Sequence, residues 1–274
     1  MIAGGVRRHR EEDSVAARTP LDIPAARLTG LRRYNLVAGV AHAAQAIAVV
    51  VLANDFALPV TANYIQGPPG SGAYESVTLF DVPLAWGVAL FFALSALAHA
   101  WVVSPPGFAR YGRDLTQQRN YARWVEYSLS SSVMIWLIAQ ICSITDLFTL
   151  IAIFAVNASM ILFGWLQEKY EVPGEGGWLP FVFGCLAGAI PWLIIVLLLI
   201  QPGSSSDVAT PGFVYGIVIS LFIFFNVFAI NQWLQYKRVG RWSDYLVGER
   251  AYITLSLVAK SLLAWQVFAG TLAG

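Results

Sequence analysis

Residues Ser256–Trp265 read SLVAKSLLAW, a lysine set in the middle of an apolar run. The run continues both ways, so that Tyr245–Thr271 is long enough to cross a membrane; a bilayer core about 30 Å thick takes roughly 20 apolar residues as a helix. An ammonium at the centre of such a span costs about 2.5–3.5 kcal/mol on insertion scales, and Lys260 lies too deep to snorkel. A central lysine therefore needs a partner, or a chemical change that removes its amine character.

The rest of the chain is of the same kind. Of its 274 residues 57% are hydrophobic and 12% charged, and the mean hydropathy is +0.62. Soluble domains carry about 25% charged residues, so a soluble globule is excluded. A net charge of +1 gives no field for a nucleic acid. Cys142 and Cys185 both sit in apolar runs and indicate neither a redox compartment nor a metal site. Six further spans are expected at Leu31–Ala53, Asp81–Val103, Tyr121–Ser143, Leu147–Gln167, Trp178–Ile200 and Gly212–Tyr236. The fold class is an all-α seven-helix membrane bundle, with a polar tail over residues 1–28, a membrane domain over 29–274 and a long polar loop over 54–80. The tail has no apolar core and is not a signal peptide.

Sixteen of the 17 basic residues precede or open the first span, or lie between or at the facing ends of spans two and three, four and five, or six and seven. All of these lie on one side of the membrane. Positive charge stays cytoplasmic, so the N-terminus is expected inside, the C-terminus outside, and the protein in the cell membrane. The seventeenth is Lys260.

Glu126, in RWVEYSLSSS (Arg123–Ser132), is the carboxylate that sits well inside a span, whereas Asp81, Asp146 and Glu168 sit at span ends. Two readings of Lys260 and Glu126 stand side by side. One is a structural ion pair between helices. The other is a Schiff base of a buried, low-pKa lysine with an aldehyde, the carboxylate being its counterion. Ser256, one turn before Lys260, and Ser130, one turn after Glu126, share their faces and are placed to hydrogen-bond the pair.

The inverted topology, together with LRRYNLVAGVAHAAQA (Leu31–Ala46), NDFALPVT (Asn54–Thr61), RWVEYSLSSSVMI (Arg123–Ile135) and SLVAKSLLAWQ (Ser256–Gln266), resembles the heliorhodopsins from about Arg27 to Thr271. The resemblance implies all-trans retinal on Lys260, Glu126 as counterion, a homodimer, and β structure in the first outer loop. It also implies that His42 and His99, with Asn35 and Ser95 at helical spacing, form a polar, water-containing cluster on the cytoplasmic side of the linkage. His9, in the tail, is read as solvated. The apolar slot that retinal needs is assigned to Met134, Trp136, Asn157, Trp192, Phe222, Phe225, Asn226 and Trp265.

The function expected is light sensing: isomerisation drives a proton rearrangement and a helix repacking, without enzymatic activity and without ion pumping. A proton pump needs a carboxylate on each side of the linkage, and the outer ends of spans six and seven, FVYGIVISLF (Phe213–Phe222) and LLAWQVFAGTL (Leu262–Leu272), offer none. The alternatives are a light-driven pump or channel, and a retinal-free transporter or receptor gated by the Lys260–Glu126 pair. Partners expected are retinal, membrane lipid and a second copy. The basic surfaces Arg110–Arg123 and Lys237–Arg250 suit either an unidentified cytoplasmic signalling protein or anionic lipid.

Overall fold

Prolines and short polar caps cut the chain into long helices. The computed structural model describes residues 18–201, 203–205 and 210–272; Arg7, Arg8, His9 and Arg10 of the tail, and the chain end beyond 272, lie outside the described residues. Helix α1 (Ala25–Leu52) follows Pro24, and α2 (Leu84–Val103) follows Pro83. Between them β1 (Ala57–Ile65) and β2 (Tyr74–Pro83) pair as an antiparallel hairpin with a bulge at Val60/Thr61. The Thr61 amide donates to the Thr145 carbonyl at 2.8 Å, which ties the hairpin to a distant loop.

Helix α2 stops at Ser104, whose hydroxyl accepts from the Gly107 amide at 3.3 Å and, with Pro105 in the first turn, starts α3 (Pro105–Thr116). The corner is so tight that a side chain at Gly107 would collide with the Trp101 carbonyl. This short helix was not foreseen; polar residues dominate it, so it lies between spans. Helices α4 (Tyr121–Ile141), α5 (Leu147–Tyr170) and α8 (Tyr245–Val267) start at side-chain caps from Asn120, Asp146 and Asp244. Helix α6 (Leu179–Ile200) carries Pro191 inside it, and α7 (Gly212–Lys237) ends on Arg238 in the left-handed region. A π-type turn over Phe268–Leu272 extends α8.

Six of these helices, α1, α2, α5, α6, α7 and α8, are long and apolar enough to cross a membrane. In their most apolar stretches only 22–39% of residues are buried, so most of that apolar surface points outward, where only lipid would accept it. The protein is a multi-pass membrane protein. Helix α4 departs from the expected third span: it has the length, 21 residues, but not the apolarity. The reason is its position. Twelve of its residues are buried among its neighbours, so its polar groups find protein partners rather than lipid.

Candidate functional site

Lys260 projects from α8 into the bundle, with its side chain 4% exposed. Its Nζ donates to Ser256 Oγ at 2.7 Å and to Glu126 Oε1 at 3.3 Å, and stands 5.2 Å from the centre of the Tyr127 ring. Glu126 comes from α4, 9% exposed, and its Oε1 also accepts from Ser95 Oγ on α2 at 2.6 Å. The third partner of the ion pair is therefore Ser95, not Ser130. Ser130 is fully buried, meets no side-chain or backbone partner, and lines the adjoining cavity instead. Helical spacing put it on the right face, but Glu126 turns its carboxylate toward α2.

The histidines stack, with ring centres 5.5 Å apart and planes at 14°. His99 Nδ1 lies 2.8 Å from Asn35 Oδ1, while neither ring nitrogen of His42 meets a protein partner. Asn35 Nδ2 reaches the Tyr111 hydroxyl on α3 at 3.5 Å.

From there a buried charge cluster opens that the sequence reading missed. Arg123 on α4 pairs with Glu168 of α5 at 2.8 Å and with Glu249 of α8, all three side chains being 4% exposed or less. Glu168 also accepts from the Asn120 amide, Trp124 Nε1 and the Tyr245 hydroxyl. Glu249 accepts from Tyr111 and Asn120 Nδ2. Burial, and then the Glu249 carboxylate, hold the Tyr111 phenol well above its ordinary range, so it remains a donor. Among the described residues Glu168 and Glu249 are thus two fully buried carboxylates besides Glu126. Glu168 lies near the end of α5, as expected, but α3 and the loop before α4 cover that end. A signal was present: Glu249, Tyr252, Ser256 and Lys260 recur every three or four residues on one face of α8.

On the other flank a narrow apolar cavity of about 100 Å³ has Lys260 in its lining. Met134 and Phe225 line it, as do Trp124, Tyr127, Phe228 and Tyr252, which the sequence reading did not select. Trp192 stands behind Phe225, edge-on at 5.3 Å. Asn157 is buried but donates to Ser131 and Ser132, one layer away. Phe222 and Asn226 do not line the cavity: both are exposed on α7, Phe222 edge-on to Trp192 at 5.4 Å and Asn226 bonded to the Phe222 carbonyl of its own helix. Trp136 and Trp265 turn to Gln140 and Gln45. A lysine amine beside a carboxylate in the lining of a narrow apolar slot fits an apolar aldehyde: the slot takes the chain, the amine the carbonyl, and the carboxylate the resulting charge.

The family model for heliorhodopsins matches residues 31–272. Among solved structures, the transmembrane domain of Salpingoeca rosetta rhodopsin phosphodiesterase has a similar fold, with a TM-score of 0.63 at 13% identity, over 89% of this chain and 85% of that one. A second structure of that protein, which includes its linker region, gives a TM-score of 0.62 at 13% identity, over 89% and 72%. At this identity the likeness is one of fold alone. No curated protein matches the chain.

Proposed function

The chain belongs to the heliorhodopsin family, and from that premise we propose that it is a light sensor holding all-trans retinal on Lys260, with seven spans, the N-terminus in the cytoplasm and no ion pumping. The observation that carries this reading is Lys260 in the lining of an apolar cavity, with its Nζ 3.3 Å from Glu126. When bound, retinal supplies a light-absorbing polyene whose aldehyde condenses with the lysine amine and whose geometry changes on illumination.

The residues of the chain do the rest. Glu126 keeps a negative charge next to Nζ and stabilises the protonated nitrogen there. Ser256 and Ser95 hold the two ends of that pair in place. Tyr127 and Met134 wall the slot and exclude water around it. His99 lines a small cavity together with Glu126, and His42 stacks on it. Helix α4 serves as the third span and brings the number to seven, its polar face turned inward.

Transport is disfavoured by asymmetry. Among the described residues the buried ionisable groups other than Lys260 and Glu126 lie toward α3, and away from it the buried polar groups are neutral, such as Ser132, Gln140 and Asn157. Toward the hairpin the core is Leu137, Ile138, Leu221, Leu263 and Val267, all buried and apolar. A pump or channel needs a second polar half-path there. A homodimer and a docking role for the basic surface remain part of the proposal on family grounds.

The test is an absorption spectrum of purified protein with all-trans retinal added. A visible band that is absent from Lys260→Ala supports the reading. A colourless parent, or a band that survives in the variant, contradicts it.

A further inference from the structure

Arg18 lies ahead of the residues matched by the family model, yet it is among the most tightly held side chains of the protein. It is 9% exposed. Its guanidinium donates to the carbonyls of Gln117 at 3.0 Å and Gln118 at 2.5 Å, just beyond α3. It also donates to the carbonyls of Glu168 and Glu171 at the end of α5. The segment from Arg18 to Pro24 is strapped down as well: the Leu21 amide donates to the Thr116 carbonyl at 2.7 Å, and Leu21 and Ile23 pack on a core that includes Tyr111, Leu115 and Tyr245.

Beneath this strap lies the buried charge cluster. Glu168 and Glu249 each accept from three or more donors. Arg123 supplies one positive charge for two negative ones. The other groups facing the pair are the phenols Tyr111, Tyr236, Tyr245 and Tyr252, and farther out Asp114, which has Arg110 at 3.7 Å. Arg18 reaches this end of the cluster through the main-chain carbonyl of Glu168. A small cavity lined by Glu249, Arg123, Asn35, His99 and Glu126 joins the cluster to the lysine site.

We propose that Arg18 is a built-in plug: it pins the strap over the ends of α3 and α5 and closes the Glu168 end of the buried cluster to bulk water. The plug itself does not depend on a pigment, so it is tested on retinal-free, full-length protein and stands or falls apart from the retinal reading.

Arg18→Gln and Arg18→Lys are compared with the parent by amide hydrogen exchange in the dark at neutral pH. In both variants the amides of 118–124 and 167–171 are expected to exchange at least tenfold faster, because neither an amide nor an ammonium can hold four carbonyls. Unchanged exchange overturns the plug. Should the Gln variant fail to fold, exchange in the Lys variant decides: faster supports the plug, unchanged overturns it.

Discussion

Glu126 and Glu168 show why identical side chains have different prospects. Glu168 is surrounded by donors that neutralise it locally. Glu126 has one serine and one lysine, so its charge is directed at Nζ. On the retinal reading, Glu126→Gln removes the charge that localises the cation at the nitrogen, and the absorption maximum is expected to move to longer wavelength. An unmoved maximum would count against the counterion role. Arg123 is the converse case. It bridges two carboxylates and lies 4.1 Å from the Tyr252 ring centre. Arg123→Leu leaves two buried acids without their shared partner, a change that costs about 3–5 kcal/mol. Thermal melting of the variant should show a fall of many degrees; an unchanged melting point would mean the cluster is not tightly closed.

Among the elements, α4 carries the most information and was the hardest to read. Its length followed from the apolar run toward Ile141, but its role as the inner helix follows only from packing. Gly164 of α5 lets it come close: an added Cβ there would strike the Trp124 ring, which lines the cavity and donates to Glu168. Gly164→Ala should therefore destabilise by about 1–3 kcal/mol, the usual cost of overpacking, and move the absorption maximum through Trp124. A variant as stable as the parent with the same spectrum would show that the contact yields freely. The long helices were legible because apolar length and proline stops are local signals. The Lys260–Glu126 pairing was legible because few charges lie inside apolar runs. By contrast, α3, the choice of Ser95 over Ser130, the outward facing of Phe222 and Asn226, and the Arg123 cluster depend on how helices rotate against one another. Helical spacing fixes a face, not the neighbour it meets.

At the scale of the whole molecule, polarity is lopsided. Glu126, Glu168 and Glu249, two stacked histidines and a closing arginine occupy the side of Lys260 toward α3, and apolar packing occupies the side toward the hairpin. A path that is polar on one side and dry on the other can move a proton within the protein but not across it. Illuminated cells in weakly buffered medium are expected to show no ionophore-sensitive pH change. A sustained photocurrent would replace sensing by transport and would require a polar route through the Leu137–Leu263 layer. Central to all of this is a covalent bond at one amine, and it can be trapped. Protein incubated with all-trans retinal, reduced with borohydride, digested and analysed by mass spectrometry should carry a retinyl group on Lys260. A peptide recovered unmodified, or an adduct found only on another lysine, would contradict it.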